Sequence, residues 1–225
     1  NNDGCVVARS AESKAMGIAM GVPYFKIETG FRKAGGVALS SNYALYADMS
    51  NRVMSILSGF APDQEVYSID ECFLNMDGQI DLPGIGKIIR ERVKQWTGLP
   101  VCVGIGHSKT LAKLANHCAK KALAGEAGVC DFNRISEAAR RALFATIPVG
   151  ELWGVGRKLS QRLIERGIPS VEALRTADAK TLRREFSVVL ERTIAELNGI
   201  SCLTLDEAVP NKQQIMSSRS FGQYV

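Results

Sequence analysis

The chain has 225 residues, of which 46% are hydrophobic, 23% are charged and 7 are proline. This composition indicates one or two globular domains and excludes a disordered, collagen-like or acidic-tail sequence. The 28 basic and 23 acidic residues leave a formal charge of +5, which mildly favours a polyanionic partner, and no apolar run approaches the roughly 20 residues of a membrane helix.

The two ends of the chain predict whether it is part of a longer protein, and the cysteines predict its cellular compartment. Residue 1 is Asn rather than Met, and the turn-forming residues 1–4 lead directly into the apolar, strand-like residues 5–8. Residues 218–222 resemble the beginning of a strand, so we expect an internal segment of a longer protein. The 6 cysteines are scattered and form no C-x-x-C pair, which is typical of reduced thiols and predicts a cytoplasmic protein.

Helices and strands alternate in the first part of the chain. Residues 8–17 and 43–57 have helical patterns, and residues 65–74 alternate and are rich in Val, Tyr, Ile and Phe, which predicts one strand. An amphipathic helix over 85–97, an apolar strand over 101–106 and a helix over 109–121 follow. This alternation predicts the α+β class.

The second part of the chain reads as helical. Residues 137–144, 157–166, 171–174 and 179–197 have helical patterns, and no convincing strand follows residue 133 until near the end. We therefore predict a second, all-helical domain with a boundary near residues 132–136.

Asp70 and Glu71 interrupt the apolar strand predicted over residues 65–74. Burial of two carboxylates costs desolvation energy, so the pair is either a solvated strand end or a site that uses the charge. A bend and a third carboxylate from a neighbouring strand would let both bind Mg²⁺, which prefers oxygen ligands and supports phosphoryl transfer. With only His107 and His117, a zinc site or a histidine-based triad is poorly supported.

A group of lysines lies on one face of the helix predicted over residues 109–121. Lys109, Lys113 and Lys120 are spaced by four and seven residues, within an acid-free stretch. The face is either a solvated stripe or an edge that contacts phosphates, and its position directly after a glycine-ended strand favours the second. We predict that Lys109 and Lys113 contact DNA.

Two glycines, Gly154 and Gly156, precede the helix predicted over residues 157–166, whose first residues are Arg157 and Lys158. Such glycines let backbone N–H groups approach a DNA phosphate without reading sequence, which is the use of a helix-hairpin-helix. The alternative is a plain corner between two helices.

Three segments carry a resemblance to a known family. SIDECF at residues 68–73 and GHSKTLAKLA at 106–115 resemble motifs of the Y-family translesion DNA polymerases, in the same order and spacing. Residues 1–6 and 41–50 are similar to the UmuC branch of that family. The resemblance covers essentially the whole chain.

The resemblance implies four parts of a polymerase. Residues 1–40 correspond to partial fingers, 41–132 to a ferredoxin-like palm, and 133–205 to a helical thumb with the helix-hairpin-helix. Residues 206–225 correspond to a linker and the first residues of the little finger.

The resemblance also implies roles for single residues. Asp70 and Glu71 match the palm carboxylates that bind two catalytic Mg²⁺ ions, and Lys120 matches a lysine that contacts the incoming triphosphate. Lys14 stands where many members have an arginine for the same triphosphate. The third carboxylate ligand and the steric-gate aromatic of the family lie upstream of Asn1, so we expect the chain alone to be inactive.

The implied function is error-prone synthesis opposite damaged template DNA in SOS mutagenesis. Its implied substrates are primer–template DNA and a deoxynucleoside triphosphate. Its implied partners are a UmuD′-like subunit and RecA, and the resemblance also allows a sliding clamp as a partner. One alternative is a non-catalytic DNA-binding module that uses the hairpin. A nucleotide cyclase with a similar palm is a weaker alternative, because it leaves the helical hairpin unexplained.

Overall fold

The computed structural model describes residues 4–205. It divides into two compact units, which within this range cover residues 4–47 and 48–205. The predicted start of the little finger, residues 206–225, lies outside the described residues. No helix in residues 4–205 is long and apolar enough to cross a lipid bilayer.

The first unit is built from short helices. In chain order they are α1 (Ala11–Ala15), α2 (Tyr24–Lys33) and the first turn of α3 (Tyr43–Leu57). The Ser10 side chain caps α1 by accepting a hydrogen bond from the backbone N–H of Ser13. The strand-like residues 5–8 form no strand here, and Cys5 pairs with Pro23 in an isolated bridge. The helix predicted over 43–57 is confirmed.

The described strands form two separate pairs. β1 (Gln64–Val66) and β2 (Cys72–Leu74) are antiparallel, whereas β3 (Val103–Ile105) and β4 (Val129–Asp131) are parallel. The prediction of one strand over residues 65–74 was wrong, because residues 67–71 turn the chain back on itself. The α+β class is confirmed, and the single sheet of a ferredoxin-like palm is not formed by the described strands.

The remaining elements of the second unit are helical. They are α4 (Leu82–Thr97), α5 (Lys109–Lys120), α6 (Glu137–Thr146), a 3₁₀ turn (Val149–Glu151), α7 (Arg157–Glu165), α8 (Val171–Arg175), α9 (Ala179–Glu185) and α10 (Val188–Leu197). The single helix predicted over residues 179–197 is two helices, because the Ser187 side chain caps α10 by accepting from the N–H of Leu190. The described elements after residue 133 are all helical, as predicted.

One hydrophobic core joins the two parts that the sequence analysis separates. Its buried side chains come from α5, from β4 and the residue after it, and from the helices after residue 137, and they include Leu111, Leu114, Cys130, Phe132, Phe144, Leu163, Leu174 and Leu197. The boundary predicted near residues 132–136 therefore lies within a continuous core. A smaller cluster of Val53, Ile89 and Val93 packs α3 against α4.

The backbones of β3 and α5 approach each other closely at Gly104. A methyl group at this position would lie 2.1 Å from the backbone nitrogen of Asn116 and 2.2 Å from the carbonyl oxygen of Ala112. Only glycine fits this contact, which places α5 and its lysines directly against the strand pair.

Candidate functional site

Asp70 and Glu71 lie in the turn that joins β1 to β2, not within a strand. The backbone N–H groups of Tyr67 and Ser68 both donate to the carbonyl oxygen of Glu71, each at 3.1 Å, and close the turn. The Ser68 hydroxyl donates to Asp70 Oδ1 at 2.7 Å. The turn therefore presents two adjacent carboxylates, of which Asp70 is exposed and Glu71 is half-buried.

Both lysines at the start of α5 form ion pairs with the β1–β2 hairpin. Lys113 Nζ donates to Glu71 Oε2 at 2.9 Å, and Lys109 Nζ pairs with Glu65. The side chains of Lys109 and Lys113 are 9% and 17% exposed. The two lysines do share one face, as predicted. Carboxylates neutralise both ammonium groups here, and the contact of this face with DNA phosphates stays a prediction.

Three aromatic rings surround these ion pairs. Lys113 Nζ lies 4.3 Å from the ring centroid of Tyr67 and 4.8 Å from that of Trp153. Lys109 Nζ lies 5.2 Å from the ring of Phe73. Trp153 Nε1 donates to the Tyr67 hydroxyl at 3.1 Å, and these two rings meet edge to face at 5.4 Å.

Sequence reasoning missed Tyr67 and Trp153. Trp153 is 86 residues from Tyr67 along the chain, so no local pattern reports the contact. The one available signal was the position of Trp153 immediately before the Gly154 turn.

The acidic turn lines a cavity of about 720 Å³ within the second unit. The polar lining includes Asp70, Glu71, His107, Lys109 and Lys113, and the apolar lining includes all residues of β2 and β3. A concave site with a few convergent charged groups on an apolar wall is typical of a ligand-binding site.

The carboxylate oxygens of Asp70 and Glu71 are chemically suited to Mg²⁺, which prefers oxygen ligands. No three His, Cys, Asp or Glu side chains converge on one point within residues 4–205. The third carboxylate that the sequence analysis expects beside Asp70 and Glu71 is therefore not found among the described residues.

The two lysines predicted to bind a triphosphate lie elsewhere in the chain. Lys120 is the last residue of α5 and is exposed. It is not grouped with the partly buried pair at the other end of that helix. Lys14 is an exposed residue of α1, in the first unit.

The Gly154 turn follows the 3₁₀ turn and leads into α7. Gly154 has a φ of +84°, which favours glycine, and Gly156 caps α7 without a side-chain hydrogen bond. Arg157 and Lys158 are exposed at the start of α7. Of the two helices that a helix-hairpin-helix needs, the second is α7, and the element before the glycines is a single 3₁₀ turn.

Comparison with known proteins places these features in a family. The model of the impB/mucB/samB family matches residues 1–117, half of the chain. UmuC of Salmonella typhimurium strain LT2 is 51% identical over the whole chain, and SamB of S. typhimurium is 48% identical over the same length. In both cases this chain spans 54% of the relative, so it covers about half the length of these curated proteins.

The fold has a close counterpart among solved structures. A Y-family DNA polymerase chimera superposes with a TM-score of 0.74 over 93% of this chain and 60% of that one, at 20% sequence identity. The arrangement of helices and strands described above is therefore a Y-family DNA polymerase fold, and the chain belongs to the impB/mucB/samB family.

Proposed function

We propose that this chain is part of an error-prone translesion DNA polymerase and carries two of its catalytic carboxylates. The observation that carries the proposal is the acidic turn, in which Asp70 and Glu71 lie side by side at the edge of a 720 Å³ cavity. Membership in the impB/mucB/samB family and the Y-family polymerase fold support it.

In this proposal Asp70 and Glu71 hold Mg²⁺ through their carboxylate oxygens. When bound, the metal neutralises charge that develops on the transferred phosphoryl group and aligns the reacting oxygens. The Ser68 hydroxyl orients the Asp70 carboxylate, and the backbone bonds to the Glu71 carbonyl oxygen hold the turn that bears both carboxylates. Lys120 and Lys14 bind the incoming triphosphate by charge.

The proposed contact with DNA lies at the beginning of α7. The backbone N–H groups in the first turn of α7, which Gly156 leaves without a side-chain cap, suit a phosphate together with Arg157 and Lys158, without sequence recognition. We extend the proposal to a palm formed by residues 41–132, a thumb formed by residues 133–205, and partners of the UmuD′ and RecA type.

Primer extension across an abasic template tests the proposal. The protein is this chain extended to the full length of its curated relatives, with Asp70→Asn and Glu71→Gln as matched variants. We expect Mg²⁺-dependent extension by the parent and a loss of about 100-fold or more in both variants, with DNA affinity retained, since the missing charge acts in the transition state. Equal extension by the parent and the two variants would refute the proposal.

The second candidate is a DNA-binding module without catalysis, which the exposed Arg157 and Lys158 beside two glycines favour. If this candidate is right, the parent binds DNA and never extends a primer. DNA affinity then falls in Arg157→Ala and is unchanged in Glu71→Gln.

A further inference from the structure

The ammonium group of Lys113 is held by more than its ion pair. It contacts Glu71 Oε2 at 2.9 Å and lies within 5 Å of the ring centroids of Tyr67 and Trp153. A cation placed on two aromatic faces is attracted by both rings, and the attraction grows as the cation is desolvated. With its side chain 17% exposed, Lys113 has little freedom to leave this position.

The two rings are themselves joined, because Trp153 Nε1 donates to the Tyr67 hydroxyl at 3.1 Å. Tyr67 begins the acidic turn, and its N–H bonds to the carbonyl oxygen of Glu71. Trp153 is therefore connected to Glu71 by two sets of contacts, one through Tyr67 and its backbone N–H and the other through the Lys113 ammonium group.

Trp153 also stands directly before the Gly154 turn and the start of α7. The short loop that carries the Trp153 ring thus also contains Gly154 and Gly156, and it leads directly to Arg157 and Lys158 at the start of α7. An ion pair between a surface lysine and a carboxylate alone would create no such connection.

We propose that Lys113 is a positioning residue for Glu71 and that Trp153 and Tyr67 position Lys113. The ammonium fixes one carboxylate oxygen of Glu71, Oε2. The loop before α7 is thereby coupled to the acidic turn, so that a structural change in one of them alters the conformation of the other. This inference rests on the proposed function for its catalytic consequence, and on the contacts above for the coupling itself.

Tryptophan fluorescence tests the coupling without any activity measurement. The chain has 2 tryptophans, so Trp96→Phe leaves Trp153 as the reporter. We expect Lys113→Met and Glu71→Gln each to change the Trp153 emission, and the double variant to change it no more than Lys113→Met alone, since both act through one ammonium. Lys87→Met removes a 2.9 Å ion pair with Glu126 elsewhere and leaves the emission unchanged.

The catalytic consequence is tested in the chain extended to the length of its relatives. We expect Lys113→Met to lower the single-turnover rate about 10- to 100-fold and to raise the Mg²⁺ concentration needed for half-maximal rate, without a change in DNA affinity. Lys113→Arg keeps the cation and restores part of the rate.

The outcomes separate this inference from the proposed function. If Glu71→Gln abolishes extension while Lys113→Met extends at the parent rate, the polymerase proposal holds and the positioning role is refuted. If the parent never extends a primer, the proposed function and the catalytic role of Lys113 both fail, and the Trp153 emission alone decides the coupling. Additive emission changes, or none in Glu71→Gln, refute the coupling in every case.

Discussion

Asp70 and Glu71 are adjacent but are held in different ways. Asp70 is bonded to Ser68 two residues away, whereas Glu71 is bonded to Lys113, which is 42 residues distant. The acidic pair was predictable, since two carboxylates in an apolar run are unusual. The turn was not predictable, because residues 65–74 alternate as a strand would, and the reversal appears only in the antiparallel pairing of β1 with β2.

The buried thiols provide a prediction at the same scale. Burial raises the pKa of Cys118 to about 11 and that of Cys130 to about 12, so both remain protonated and unreactive in the folded chain at pH 8. Cys5 and Cys202 are exposed. Alkylation followed by mass spectrometry is expected to label the exposed pair first and the buried pair only on unfolding.

The pH dependence of stability follows from the same shift. An unfolded thiol ionises near pH 9, whereas the folded Cys118 and Cys130 thiols hold their protons to higher pH. The unfolded state therefore loses protons first, and the free energy of unfolding falls as pH rises above about 9. Early alkylation of Cys118 or Cys130 in the folded chain would contradict the raised pKa values of these two thiols.

Elements with long periodic patterns were the most predictable part of the fold. The helices over 43–57 and 109–120 match closely, because repeated apolar positions and the Ser108 cap of α5 are local signals. Strand β4 was missed, since three residues are too few to show a period. The ion pairs of Lys109 and Lys113, and the core that continues across residue 132, join residues that are far apart in the sequence. No local sequence pattern predicts them.

The contact between β3 and α5 is tested by a pair of glycine variants. Gly104→Ala places a methyl group 2.1 Å from the Asn116 nitrogen and is expected to lower the free energy of unfolding by about 1 to 3 kcal/mol. Gly156→Ala is the matched control, because nothing lies within 4 Å and its φ of −74° suits alanine. Urea unfolding measures both, and equal stabilities would contradict the close approach.

Glu196 ties the start of α5 to the chain after α10. The residue is 1% exposed, and its carboxylate accepts from the backbone N–H groups of Thr110 at 2.9 Å, Cys202 at 2.8 Å and Leu203 at 3.2 Å. Glu196→Ala leaves these donors unpaired and is expected to cost about 2 to 4 kcal/mol of stability in urea unfolding. Glu196→Gln retains an acceptor and is expected to cost less, so equal losses would contradict the account.

At the scale of the whole molecule, the net charge of +5 is small, and its arrangement matters more than its size. Two lysines in the first half of α5, Lys109 and Lys113, form ion pairs with carboxylates of the protein, whereas Arg157 and Lys158 face solvent. Composition alone predicted a polyanionic partner but could not separate these two groups.

We therefore expect the DNA affinity of the 225-residue chain to fall with salt, and we expect a small number of basic residues to account for this dependence. Anisotropy titrations with labelled DNA from about 50 to 200 mM salt are expected to show affinity falling linearly on logarithmic axes. Arg157→Ala and Lys158→Ala are each expected to reduce the slope by about 1. A slope that neither substitution changes would place the DNA contact elsewhere.

The acidic turn is the central element of the account, and one measurement tests it most directly. Single-turnover incorporation of one nucleotide is followed against Mg²⁺ concentration in the chain extended to the length of its relatives, beside Glu71→Gln. We predict a rate that saturates with Mg²⁺ in the parent and falls about 100-fold or more in the variant at equal DNA occupancy. A parent rate independent of Mg²⁺, or an unimpaired Glu71→Gln, would contradict the account.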